Sequence, residues 1–207
     1  MKVRTEARRE AIIDAAASVF LEMGYERASM NEVTKRMGGS KATIYSYFYS
    51  KEELFIAVVN RLATAHLAEA VSELSNTNEM GTDIELRPML TRFGERMLMM
   101  LINDDSALAV YRMVVAESGQ SDIGMMFYES GPRECLQTIA STMRIAMQRG
   151  QLRSTDPDIA ALQLTALLTA ETEIRLYQQA PMPLSIEQIR GMVERAVDTF
   201  LLGMEKR

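Results

Sequence analysis

An all-α fold is predicted by three observations. Serines are followed three residues later by Glu or Gln at Ser29/Glu32, Ser50/Glu53 and Ser185/Gln188, which is the capping-box spacing at a helix start. Apolar residues recur at three- and four-residue intervals, and no strand-like alternation of any length occurs. The expected layout is an N-terminal three-helix helix-turn-helix domain over 1–52, with its motif at 29–48, and a larger C-terminal helical domain over 53–207.

The first helix follows from Ile12, Ala16, Val19/Phe20 and Met23, which share a face and stop at Gly24. Ser29 then caps a short helix in which Val33 and Met37 form the apolar side. Gly38 and Gly39 supply the backbone freedom for a sharp turn. Ser40 caps the next helix, whose first turn is Lys41, Ala42 and Thr43, and Ile44 and Phe48 point to the core. Lys41 and Lys51 stand at successive helix N-termini, where a cation opposes the helix dipole. An anion outside the chain, such as a phosphate, would explain them. Ser29, Ser40 and Ser50 are caps with or without DNA, and Tyr45 and Tyr47 also suit a core edge.

The stretches AIIDAAASVFLEMGYERAS, SMNEVTKRMGGSKATIYSYF and SKEELFIAV, spanning about residues 8–59, resemble the N-terminal domain of the TetR family of bacterial transcriptional regulators. The resemblance implies that Ser29 contacts a phosphate and that Ser40, Lys41, Ala42 and Thr43 begin a recognition helix. It further implies that Tyr45, Ser46 and Tyr47 touch phosphates or base edges and that Lys51 binds a phosphate. Two positions depart from the pattern: Gly39 stands where an aliphatic residue is usual, and Ala42 where glycine is frequent. The Ala42 methyl group suits contact with a thymine methyl.

Charge divides along the same line. Residues 1–51 carry nine Lys/Arg against six Asp/Glu, whereas the whole chain has a net charge of −5. A basic head on an acidic body puts the positive field where a duplex would sit. With 207 residues and 47% hydrophobic content, the chain is long enough for a small domain plus a larger one. Asp14 and Glu22 break the only apolar stretch that follows the basic N-terminus, so no signal-peptide core is expected. The mildest run, 159–170, is too short to span a bilayer, and no membrane role is expected. One cysteine, Cys135, permits no internal disulfide and fits a reducing cytoplasm, the expected location.

Beyond the head, helices are expected from Ser50 to about Leu74, over 89–102 and over 107–117, and from about Asp122 to Gln148 with an interruption at Gly131-Pro132. Asp156-Pro157 opens a further helix that ends before Pro181. Ser185 and Gln188 open the last one. This final pair carries more apolar surface than a terminal hairpin needs. The plain reading is closure of the monomer core. The family resemblance favours a homodimer built on a two-fold four-helix interface of Leu164, Leu167, Leu168, Ile189, Val193, Val197 and Phe200.

The middle helices hold a concentration of methionines, flexible side chains that pack a core or line an adaptable cavity. With the resemblance, Met97, Met100, Met113, Met125, Met126 and Met143 become candidates for lining a pocket for a small apolar or amphipathic effector. The reading is a transcriptional regulator, a homodimeric repressor released by ligand from a pseudo-palindromic double-stranded operator. An architectural DNA-binding protein without ligand control is the alternative. Enzymatic function is not expected: there is no phosphate-binding glycine loop, nucleophile elbow or metal-spaced Cys/His cluster, and no cofactor or metal is implied. A small helical enzyme would have to use His66, the single histidine.

Overall fold

A computed structural model describes residues 5–64, 67–75 and 85–205. His66 lies outside the described residues. The chain forms two compact units, one of Met1–Thr64 with Ala109–Ser130, the other of Ala65–Leu108 with Gly131–Arg207. No strand occurs among the described residues.

The first unit begins with α1 (Glu6–Met23), capped by Thr5, followed by α2 (Met30–Met37), α3 (Lys41–Tyr45) and α4 (Lys51–Val59). A π-helical turn, Asn60–Thr64, prolongs α4. Helix α1 packs against α2 and α4. Ile12, Ala16, Phe20, Val33, Ile44, Phe48, Leu54 and Phe55 are buried, while Met23 and Met37, at the C-terminal ends of the predicted apolar faces, are half-buried. Phe20 and Phe55 meet edge to face with ring centres 5.6 Å apart, and Tyr25 meets Phe55 in a second edge contact with ring centres 4.9 Å apart. Each such ring adds a large apolar area and a preferred aromatic geometry.

The serine caps form as expected, but the reciprocal half of the box does not always follow. Ser29, Ser40 and Ser50 accept the N–H groups of Glu32, Thr43 and Glu53. Glu32 pairs with Lys35 at 3.1 Å, and Glu53 accepts the N–H of Tyr49 at 2.6 Å. Of the three predicted boxes, Ser185 and Gln188 alone complete both arms. A nearby cation or a neighbouring N–H outcompetes the cap's own N–H for the free carboxylate.

The chain continues through α5 (Leu67–Ser75), α6 (Leu86–Asn103), α7 (Asp105–Glu117) and α8 (Ile123–Glu129). Then come α9 (Pro132–Gln148), α10 (Pro157–Thr169) with a 3-10 extension Ala170–Tyr177, and α11 (Ile186–Met204). Gly131-Pro132 separates α8 from α9, because proline at a first helical position cannot continue an earlier helix. Asp156 accepts the N–H groups of Asp158 and Ile159 at 2.8 and 3.3 Å and fixes the start of α10.

Within the second unit, Phe93, Met97, Ile139, Met143, Leu164, Leu168, Val193 and Val197 belong to one core. Gly94 lets α6 approach α10 and α11 closely: a methyl group there would lie 2.7 Å from Leu168 Cδ2 and 2.8 Å from Val193 Cγ1. No single helix among the described residues is long and apolar enough to cross a membrane.

Candidate nucleic-acid interface

The reading element is built from its turn outward. Gly38 adopts φ 66°, and its N–H and that of Gly39 bond to the carbonyls of Lys35 and Thr34, closing α2 in a Schellman arrangement. Ser40 then starts α3. Its Oγ is 2.9 Å from Thr43 Oγ1 and 3.2 Å from the Thr43 nitrogen, so the two hydroxyls are preset on the first turn. Lys41, Ala42, Tyr45 and Ser46 are exposed, while Ile44 and Phe48 anchor the element beneath. The Ser46 hydroxyl donates to Thr43 O at 2.7 Å. Tyr47 is half-buried and its hydroxyl accepts the N–H of Thr5 at 2.9 Å, tying the end of the motif to the cap of α1.

Lys51 is placed differently from a free phosphate ligand. Its Nζ lies 3.1 Å from Tyr25 O and 3.4 Å from Glu26 O, with the Tyr25 ring centre at 4.2 Å. Its charge therefore already has two carbonyls and a π face to rest on. The N–H groups on the same turn donate to the Glu117 carboxylate, from Tyr25 at 2.7 Å and from Glu26 at 3.0 Å. The turn between α1 and α2 is thus held between a cation and an anion. Burial raises the Tyr25 phenol well above its usual range, and the carboxylates of Glu52, Glu26 and Glu117 add to the shift.

The remaining cations of the head are distributed unevenly. Arg36 forks onto Glu22 and holds that carboxyl at a pKa of about 2. Lys35 pairs with Glu32, and Arg61 with Glu10 and Asp14. Arg9 sits over the Phe48 ring near Glu6 and Glu10, and Arg27 donates to Met23 O. Among residues 5–64, the charged ends of Arg8 and Lys41 alone have no protein partner among the described residues.

The pocket candidates divide between the two units. Met97 and Met143 are fully packed in the second unit's core, and Met100 is half-buried against it. Met113, Met125 and Met126 belong to the first unit, with Met125 59% exposed. A groove of about 340 Å³ in the second unit is lined by Glu69, Glu95, Arg96, Met99, Met100, Ile186, Ile189 and Arg190. Of the six methionines it holds only Met100.

The interface candidates lie mostly inside the second unit. Leu164, Leu168, Ile189, Val193 and Val197 are at most 1% exposed and Phe200 is 3% exposed, so these side chains are committed to the monomer's own core. Leu167 is half-buried. Their 3.6-residue stripe marks burial, and the core of the second unit fills it first. A second stripe faces outward: Ile159 and Leu162, about half exposed, with Ala166 on α10, and Leu202 on α11. Beside it runs a concave strip of about 520 Å³ lined by Gln163, Ala166, Leu167, Ala170, Thr199, Phe200 and Gly203, among others. The i, i+3, i+7 spacing of Ile159, Leu162 and Ala166 is the sequence signal that identifies this face. Glu117 left no such signal, because its partners are 91 and 92 residues away.

A capped three-helix head whose third helix, α3, begins with an exposed, uncrowded turn defines a helix-turn-helix protein of the DNA-reading class. Residues 12–58 match the profile of bacterial regulatory proteins of the tetR family, and residues 88–203 match that of the AefR-like transcriptional repressor C-terminal domain. The chain belongs to the TetR family of bacterial transcriptional regulators, which are DNA-binding proteins and not enzymes. It is 37% identical over 78 residues to the transcriptional activator FasR of Mycolicibacterium smegmatis, a match covering 38% of this chain and 34% of FasR. It is 26% identical over 170 residues to the transcriptional regulator UidR of Escherichia coli, covering 81% of this chain and 79% of UidR. The solved structure of the flavonoid-responsive regulator FrrA superposes with a TM-score of 0.73 at 28% identity, covering 98% of this chain and all of that one.

Proposed function

We propose that the protein is a homodimeric repressor that binds a pseudo-palindromic operator and is released from it by a small apolar or amphipathic effector. The observation that carries the reading is the first turn of α3, where exposed Lys41 and Ala42 follow a Ser40 cap on an element anchored by Ile44 and Phe48. Ser29, Ser40, Lys41, Ala42, Thr43, Tyr45, Ser46 and Tyr47 are the proposed DNA contacts, with Lys51 as a contact or as the brace of the turn beside it. The functional division is a DNA reader over 1–52 and an effector and dimerisation region over 53–207, in a cytoplasmic protein.

One short helix reads few base pairs, each worth about 1–3 kcal/mol of discrimination, so two heads are needed for an operator. The outward stripe of Ile159, Leu162, Ala166 and Leu202 is the surface offered to a second copy. The repressor-type profile over 88–203 supports repression, and the responsiveness of FrrA to flavonoids supports release by a small molecule. The groove at Met99 and Met100, with Glu95, Arg96 and Arg190 at its wall, is of a size for a small amphipathic molecule. Release requires an effector that prefers the conformation with lower DNA affinity.

The test is selection of duplexes from a random-sequence pool by the purified protein, followed by footprinting. A two-fold-related sequence protected by a dimer supports the proposal. Protection of a single asymmetric half-site by a monomer overturns it. Effector candidates found by thermal shift should lower affinity for the selected duplex; tight binders that leave it unchanged overturn the release mechanism.

A further inference from the structure

We infer that Arg8, on the first turn of α1, is a DNA-phosphate contact that acts with Lys41, and that Gly39 is the residue that gives it access. The inference rests on the DNA-reading proposal above.

Residues 5–64 hold eight described lysines and arginines. Six rest on protein groups: Arg9 on Glu6, Glu10 and the Phe48 ring, Arg27 on a carbonyl, Lys35 on Glu32, Arg36 on Glu22, Lys51 on two carbonyls and the Tyr25 ring, and Arg61 on Glu10 and Asp14. Arg8 and Lys41 are left with no such partner among the described residues. A guanidinium on a helix with Glu6 and Glu10 nearby in sequence has carboxylates within its reach. Arg9 and Arg61 take them, and Arg8 points elsewhere.

A methyl group built on Gly39 would lie 3.0 Å from an Arg8 guanidinium nitrogen and 2.5 Å from Met37 Cε. The guanidinium therefore sits against the bare backbone of the helix-turn-helix turn, two residues in sequence from Lys41. Gly38 has φ 66° and is held to glycine by its backbone. Gly39 has no positive φ, so what its missing side chain provides is room. The two cations left without a partner among the described residues 5–64 thus flank one turn. No acidic residue stands in the first turn of α3 to neutralise them. A planar guanidinium suits a phosphate with two oxygens to share, and the exposed lysine beside it suits the same or the adjoining phosphate as a point charge.

The experiment measures affinity for a fluorescent duplex, selected by the wild-type protein from a random pool, between 50 and 200 mM salt. Each phosphate contact contributes about 0.9 to the slope of log affinity against log salt. Arg8→Ala and Lys41→Ala should each flatten the slope by about 0.9 per bound head. Arg8→Lys should keep the wild-type slope, since it keeps the charge. Gly39→Val should act like Arg8→Ala, and adding it to Arg8→Ala should flatten the slope no further. Circular dichroism and melting of every variant check the fold, and Arg144→Ala, in the second unit, serves as the unaffected control.

An unchanged slope in Arg8→Ala beside a flatter one in Lys41→Ala overturns this inference and leaves DNA reading intact. A wild-type protein that enriches no duplex overturns the DNA-reading proposal and this inference with it, and a Lys41→Ala variant with wild-type slope overturns the joint action of Arg8 and Lys41. Further loss in the double variant overturns the role given to Gly39.

Discussion

The carboxylate of Glu117 accepts the backbone N–H of Tyr25 at 2.7 Å, and its second oxygen accepts that of Glu26 at 3.0 Å. One side chain from the end of α7 therefore satisfies two donors of the turn that leads into α2, while Lys51 binds the carbonyls of the same two residues. Hydrogen bonds to a charged group contribute about 1.5–3 kcal/mol, and an abandoned buried donor is expensive to leave unmade. Glu117→Ala should lower the unfolding free energy by about that amount in urea denaturation. Glu117→Gln, with one acceptor in place of two, should lose less. Gly24→Ala should also destabilise, because its φ of 79° disfavours a side chain and the added methyl group would run into the Glu117 carboxylate.

Acid sensitivity should show the Glu22–Arg36 pair. The Arg36 guanidinium and the Ser18 hydroxyl hold the Glu22 carboxyl at about 2, below its ordinary 4.5. A depressed carboxyl stabilises the fold above its unfolded value, and the contribution disappears as pH falls through the folded one. The urea midpoint of the wild type should therefore drop more between pH 5 and pH 2 than that of Glu22→Gln. Parallel curves for the two proteins would show that the exposed pair adds nothing.

Two leucines two residues apart on α10 should behave oppositely. Leu162 is 51% exposed and Leu164 is fully buried. Leu162→Arg should leave the fold intact and shift the protein from dimer to monomer in analytical ultracentrifugation. Leu164→Ala should cost about 2–5 kcal/mol of stability through the cavity it leaves, with the dimer retained while the chain is folded. A monomeric but stable Leu164→Ala variant would reverse the assignment of the two faces.

Cys135 should be inert in the native protein. It is 7% exposed, and burial alone pushes its thiol up to about 11 from 9.0. At pH 8 that shift by itself reduces the thiolate fraction about hundredfold. Modification by a thiol reagent should follow unfolding, so its rate should rise with urea along the denaturation curve. Rapid labelling of folded protein would contradict the packing around α9.

Much of the fold was legible because its signals are local. Ser29, Ser40, Ser50 and Ser185 mark helix starts within four residues, and Gly24 and Gly38 adopt positive φ, whereas Gly39, picked out together with Gly38 for the turn, does not. The exposed start of α3 was legible for the same reason. The relationships that cross the sequence were not. Glu53 reads as half of a capping box until Tyr49 offers a competing N–H, and Lys51 reads as a free cation until Tyr25 folds beneath it. Helix α10 is apolar on more than one face, so periodicity alone could not say that Leu164 and Leu168 point inward while Ile159 and Leu162 point out.

The pairing of the head's cations bears on how such a protein searches for its target. Among the described residues 5–64, six of the eight lysines and arginines already rest on carboxylates, carbonyls or rings, so the cations left over stand beside one turn. The head's attraction to DNA is concentrated at one turn, so a wrongly oriented encounter is weak and brief. Search by repeated release and recapture is then favoured over long one-dimensional sliding, and in the proposed dimer residence is reserved for sites that both heads engage together.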